Sequence, residues 1–143
     1  MVSIRKLNIS DYDALCELWQ KSGLSYRPNG RDTRDNIALQ IDGDCSIYLI
    51  AEDKGKMIGA ILATHDGRKG WLNRLAILPD YQRRGIARML VKEAEKRLMS
   101  LGIEIFACQI EDWNQVSMAL FDDLGYSRHG EIVYFTKRLR PGV

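Results

Sequence analysis

The sequence predicts a mixed α/β fold, a mostly antiparallel sheet with one parallel strand–helix–strand crossover at its centre. Three observations carry this. Apolar strand segments joined by glycine turns fill residues 45–78. Ile86, Leu90, Ala94, Leu98 and Leu101 then recur at helical spacing. Past Gly102 an apolar run at residues 103–110 resumes the strand pattern. A strand, a helix and a strand in that order imply a right-handed parallel crossover.

The elements follow in order. Residues 2–7 alternate apolar and basic, as a half-exposed strand does. Ser10 is the expected N-cap, with Asp11 and Asp13 in the first turn of a helix. Leu15, Leu18 and Trp19 form its apolar face, and it ends near Gly23. Residues 22–31 contain Pro28, Asn29 and Gly30 and read as a loop. A short helix runs from about residue 33 to residue 41 and presents Ile37 and Ile41. Residues 45–51 form a strand rich in β-formers, from Ile47 to Ile50. Asp53, Lys54, Gly55 and Lys56 signal a hairpin turn into a returning strand at residues 57–64. Gly59 within it marks a bulge or a close backbone approach. A second turn, at residues 65–70, leads into a strand starting at Trp71. Pro79 ends that strand because proline cannot donate to a ladder. Three strands thus meander antiparallel up to the crossover. Beyond it, Glu111, Asp112 and Trp113 form a polar exit, and Asn114 caps a helix carrying Val116, Leu120 and Leu124. Gly125 stops it. Residues 126–129 and 131–139 read as a final antiparallel hairpin around Gly130, and residues 141–143 fray.

Composition narrows the class. A length of 143 residues suits one domain spanning residues 1–143. A net charge of +2 argues against a general nucleic-acid binder. Cys16, Cys45 and Cys108 lie far apart, and His65 and His129 are isolated, so neither a metal site nor a disulfide framework follows. Buried thiols in a reducing compartment are expected instead. No apolar run approaches membrane-spanning length and residues 1–5 lack signal-peptide form, so a cytoplasmic protein without a membrane partner is expected.

The turn between the central strand and the long helix is where chemistry concentrates. Gln82, Arg83, Arg84, Gly85, Ile86 and Ala87 open the helix, with Arg88 behind. The first helical turn has main-chain N–H groups without intrahelical partners, and the macrodipole adds positive charge there. Gly85 has no side chain to keep a phosphate from the backbone. Three arginines add cations. Together these residues make a site for a phosphate or pyrophosphate. The run G-x-x-x-x-G-K-[ST] of a nucleotide loop and the G-x-G-x-x-G of a dinucleotide fold are both absent.

The run Gln82-Arg83-Arg84-Gly85-Ile86-Ala87 resembles the Q/R-x-x-G-x-G/A motif of the GNAT superfamily of acyl-CoA N-acyltransferases. A second stretch, Asn114, Ser117, Leu120, Phe121, Gly125 and Tyr126, is similar to that family's N-x-x-[A/S]-x-x-L-[Y/F]-x-x-x-G-[F/Y] segment. The likeness of layout covers nearly the whole chain and is nearest to small stand-alone prokaryotic members. It implies a sheet splayed between the fourth and fifth strands, with acetyl-CoA as co-substrate and no metal. The backbone of residues 82–88 would hold the pyrophosphate. A bulge in the fourth strand would expose backbone near Leu75, Ala76 and Ile77 to the pantetheine arm. Asn114, Ser117 and Phe121 would complete the cofactor side. A primary amine would attack the thioester directly, with a backbone N–H near Ile77 facing the oxyanion. A homodimer is common in relatives.

Two departures matter. Phe121 stands where many relatives have the tyrosine that protonates the departing sulfur. Asn73 and Arg74 stand where some relatives place a glutamate base. Tyr126 or Tyr134 is a substitute acid, and Glu111 and Asp112 are candidates to attract or deprotonate the amine. Packing is the simpler account of the two tyrosines, and a solvated loop that of the two carboxylates. Three functions follow: an N-acetyltransferase acting on a peptide N-terminus, a lysine or a small amine; a non-catalytic acyl-CoA sensor of the same fold; and a phosphate-binding regulatory domain.

Overall fold

Hydrophobic alternation and turn chemistry produce four antiparallel strands and a short parallel fifth. A computed structural model describes residues 1–143. The chain runs β1 (Val2–Lys6), a 3-10 turn (Ile9–Asp11), α1 (Tyr12–Ser22), α2 (Arg34–Asp42), β2 (Ser46–Asp53) and β3 (Lys56–His65). It continues through β4 (Gly70–Ile77), a second 3-10 turn (Pro79–Tyr81), α3 (Ile86–Ser100), β5 (Phe106–Ala107) and α4 (Gln115–Asp123). The strands lie side by side in sequence order, with β4 and β5 parallel.

Helices cover the sheet. Leu15, Leu18 and Trp19 of α1 are buried, as are Ile86, Leu90, Val91, Ala94 and Leu98 of α3. Removing such a side chain from water is worth about 1.5–3 kcal/mol, which is why the 3.6-residue period of α3 determines the face it presents. Leu101, expected on that face, is exposed because α3 ends at Ser100. The α3 side chains press directly on sheet backbone. A Cβ on Gly70 would stand 2.7 Å from Leu98 Cδ1, and one on Gly59 would stand 2.8 Å from Ile77 Cδ1 and 3.2 Å from Leu90 Cδ1. The close approach expected at Gly59 is therefore present.

Local caps match their chemistry with one shift. Thr33 Oγ1 accepts from Asn36 N at 3.2 Å and opens α2. Ser10 is not the cap of the first helix. It lies inside the 3-10 turn, and Asp11 is the N-cap of α1. Asn8 N donates to Asp11 Oδ2 at 2.9 Å, so the Asp11 carboxylate closes the 3-10 turn.

Three expectations fail. The fifth strand shrinks from residues 103–110 to Phe106–Ala107, because β4 diverges from it after two pairs, Gly70 with Phe106 and Trp71 with Ala107. The final hairpin at residues 126–129 and 131–139 does not form, and no strand follows α4. Ile132, Val133, Tyr134 and Phe135 stay exposed; the edge the hairpin would join, β5, is two residues long and offers it little ladder. The three cysteines are free, but Cys45 is exposed and Cys16 and Cys108 are only partly buried.

Candidate functional site

The site begins where the sheet opens. Beyond Trp71, β4 keeps β3 on one side and has no strand on the other. The open edge runs through Ile77 toward the turn that leads into α3.

A bulge lies on that edge. Ala60 pairs with Ala76 and Leu62 with Asn73, so Ile61 of β3 faces both Arg74 and Leu75 of β4. Arg74 takes a left-handed φ of 52°, uncommon for a non-glycine residue. Its side chain is held by Asp32: Arg74 Nη1 and Nη2 donate to its two carboxylate oxygens at 2.6 and 2.9 Å. The guanidinium also lies 4.9 Å over the Trp19 ring. Asp32 Oδ2 further accepts from Arg27 N at 2.6 Å, so the same carboxylate shapes the loop between α1 and α2.

Past the bulge the strand regains its register. Leu78 N donates to Ile58 O at 2.9 Å. Strand N–H groups alternate sides, so that of Ile77 points the other way, into the opened edge. Ala76, opposite Ala60, turns its main-chain N–H and C=O to β3, so past the bulge it is Ile77 whose main chain faces the open edge.

The turn after Pro79 is an N–H cradle. None of the main-chain N–H groups of residues 83–88 has a hydrogen-bond partner in the protein; the first helical donor with one is Met89 N, to Gly85 O at 3.1 Å. Arg83 (φ 64°) and Gly85 (φ 79°) are both left-handed, a curl that turns successive N–H groups to one side. A Cβ on Gly85 would meet nothing within 4 Å. Gln82 reaches back to Ile77 O at 3.4 Å. Arg84 stacks 4.9 Å over the Tyr81 ring, Arg83 is exposed, and Arg88 is ion-paired with Asp123 of α4. Ile86 is buried, so its side chain anchors the helix while its N–H faces out. Ala87 is partly buried.

Helix α4 flanks the cleft. Asn114 Oδ1 accepts from Ser117 N at 3.1 Å, capping it. Phe121 is buried, with its ring edge-on to Tyr126 at 4.9 Å and 82°. The Tyr126 hydroxyl donates to Glu95 Oε2 at 2.5 Å, and burial together with that carboxylate pushes its pKa upward. Tyr126 is therefore engaged with α3. Tyr134 is exposed near the chain's end. Glu111 and Asp112 are exposed in the loop after β5. A concavity of about 490 Å³ lies between Arg31 and the last residues of the chain, from Tyr134 to Val143, rather than at the cradle.

A family model described as the acetyltransferase (GNAT) family matches residues 12–126. The chain belongs to the GNAT acetyltransferase family. Solved structures share the fold of this GNAT chain. An aminoglycoside N-acetyltransferase, AAC(6')-Iy, in complex with a bisubstrate analogue of CoA and acetylneamine, aligns with a TM-score of 0.81 at 20% identity, over 96% of this chain and 99% of that one. The PaiA N-acetyltransferase of Thermoplasma acidophilum, in complex with coenzyme A, gives 0.77 at 23% identity, over 87% and 88%. The 6'-N-acetyltransferase AAC(6')-IG of Acinetobacter haemolyticus gives 0.78 at 21% identity, over 96% and 99%.

Sequence reasoning missed the Asp32–Arg74 pair, Asp123 as the partner of Arg88 and Glu95 as the partner of Tyr126. The one available signal was an acid, Asp32, set among Arg27, Arg31 and Arg34. It showed that the carboxylate had cations to choose from, not that a fourth, 42 residues away, would win.

Proposed function

We propose that this GNAT chain transfers the acetyl group of acetyl-CoA to a primary amine. The observation that carries the reading is the row of unpartnered N–H groups at residues 83–88, beside the open edge of β4. Free amides and a helix N-terminus suit a pyrophosphate. The open strand edge suits an extended amide-bearing arm. Residues 82–88 would hold the diphosphate, Ile77 the arm, and Asn114, Ser117 and Phe121 the far wall.

The amine nitrogen attacks the thioester carbonyl and forms a tetrahedral oxyanion. The Ile77 N–H faces the edge where that oxyanion would stand. Collapse breaks the carbon–sulfur bond, and CoA leaves as thiolate. The amine proton passes to water or to Glu111 or Asp112. Phe121 has no hydroxyl and that of Tyr126 is given to Glu95, so the sulfur leaves without help from either. A thiol pKa of about 8.5 makes that tolerable. Bringing two substrates together supplies much of the acceleration. The aminoglycoside acetyltransferases among the structural neighbours support a small-molecule amine as acceptor.

Thermal shift with acetyl-CoA tests the cofactor. Ligand at about a hundred times its dissociation constant adds about 2.7 kcal/mol. Thiol release with an aminoglycoside, a polyamine, a lysine and a peptide N-terminus tests transfer. Acetyl-CoA binding without thiol release for any amine would favour the sensor reading, which the missing free hydroxyl at the leaving group motivates. No binding would remove both readings.

A further inference from the structure

Charge is not spread evenly over this chain. Its 21 lysines and arginines nearly balance its 19 aspartates and glutamates, yet the concavity of about 490 Å³ beside the α1–α2 loop takes charged side chains of one sign only. Arg31 enters it from the loop, and Lys137, Arg138 and Arg140 enter it from the last residues of the chain. Tyr134 and Thr136 add two hydroxyls, and no acidic side chain lines it.

Neighbours do not neutralise these cations. Arg138 Nη1 donates to Val143 O at 2.6 Å. Arg31, Lys137 and Arg140 make no ion pair. Asp32, next to Arg31 in sequence, is buried and already engaged by Arg74 and by the Arg27 N–H. Guanidinium, ammonium and hydroxyl groups all donate, and together they match the oxygens of a phosphate or carboxylate. The volume is that of a small-molecule site. It is also tied to the reacting edge, because Arg31 precedes Asp32 and Asp32 grips Arg74 in the bulge that leads to Ile77.

We propose that this concavity holds an anionic group of the acceptor, which is then a small primary amine that also carries a phosphate or a carboxylate. The assignment rests on the acetyltransferase reading and narrows its acceptor. The oxyanion end stays with Arg31, Lys137 and Arg140, and the amine end reaches toward Ile77. Aminoglycosides, the acceptors of several structural neighbours, carry several ammonium groups and so bring the wrong sign of charge to this lining.

Matched amines test it. O-phosphoethanolamine is compared with ethanolamine, and 6-aminohexanoate with hexylamine, with kanamycin as the polycation. Calorimetric titration with saturating CoA, which has no acetyl group to give, reads binding without turnover. Each anionic amine should bind about tenfold more tightly than its partner, the combined effect of a few exposed ion pairs, and kanamycin should bind least. The preference should shrink as salt rises. Arg31→Gln/Lys137→Gln alters two exposed side chains, so the variant should fold as before by circular dichroism, and the ratio within each pair should fall toward one. A larger ratio in the first pair assigns a phosphate, and in the second a carboxylate. Equal binding within both pairs, no binding, tighter binding of kanamycin, or a preference that survives the double variant overturns the proposal. So does displacement of the anionic amines by CoA, because the concavity would then hold part of the cofactor. Thiol release from acetyl-CoA separates the two readings. Anionic amines that bind but release no CoA would end the acetyltransferase reading, and with it the acceptor role, while leaving the anion site in place. Faster turnover of hexylamine or kanamycin would overturn the anion preference and leave acetyl transfer intact.

Discussion

Asp32 and Arg74 form a two-pronged ion pair across 42 residues, with oxygen–nitrogen distances of 2.6 and 2.9 Å. The carboxylate side chain is 4% exposed and the guanidinium 15%. The pair joins the α1–α2 loop to the bulge of β4. Removing one partner of a buried pair leaves the other without compensation, at about 3–5 kcal/mol. Arg74 keeps some solvent, so Asp32→Ala should cost about 3 kcal/mol by urea unfolding. Asp32→Leu combined with Arg74→Leu should recover much of that, since an apolar pair leaves no stranded charge. Equal losses in the single and double variants would show that the ion pair itself is not the source.

Tyr48 makes the opposite case. Its hydroxyl is buried and has no hydrogen-bond partner, and burial pushes its pKa up. An unsatisfied buried polar group costs about 1–3 kcal/mol. Tyr48→Phe should therefore leave stability unchanged or raise it, seen as an equal or higher thermal midpoint. A drop of several degrees would mean that the hydroxyl has a partner after all.

Gly59 and the side chain of Ile77 share one space, with room for 2.8 Å where a Cβ would stand. Gly59→Ala must move Ile77 or Leu90. Overpacking of this kind costs about 1–3 kcal/mol. Trimming the obstruction with Ile77→Val should return part of the loss, and a double-mutant cycle measures how much.

Gly85 lies at the centre of the cradle, with open space at its Cβ position and φ of 79°. Gly85→Glu places an anion where a diphosphate is expected. The left-handed backbone costs a side chain about 1 kcal/mol, so the fold should survive. Affinity for CoA should fall about a hundredfold, on the order of 3 kcal/mol, by calorimetric titration. Unchanged affinity in a folded variant would place the diphosphate elsewhere.

Acid should loosen the junction of β1, β2 and the first turn. Arg5 bridges Asp11 and Glu52 at 2.8 Å each. The Arg5 hydrogen bond holds the Asp11 carboxyl below its usual 3.8, against the opposing effect of partial burial. A depressed folded pKa contributes stability above the unfolded value, and that contribution is lost as pH falls through the folded one. Arg5→Ala should thus lower the unfolding free energy from urea titration at pH 6 by about 1 kcal/mol once solvent screening is allowed for. Below about pH 3 the difference from wild type should narrow. A gap that persists undiminished in acid would make the Arg5 contribution packing rather than charge.

Much of this molecule was legible in one dimension. The spacing of Ile86, Leu90, Ala94 and Leu98 determined the buried face of α3, Pro79 the end of β4, and Asn114 the start of α4. Each is a local rule, carried by a few neighbouring residues and by the geometry of the backbone itself. The row of unpartnered N–H groups at residues 83–88 was legible for the same reason, since unpaired N–H groups follow from any helix start. Tertiary structure decided what neighbouring residues cannot encode. Which cation Asp32 chose, where β4 leaves β5, and that residues 131–139 stay outside the sheet all depend on segments far apart in sequence. Their outcomes turn on the free energy of whole surfaces meeting, where a strand forms only if the neighbouring edge is long enough to pair with it.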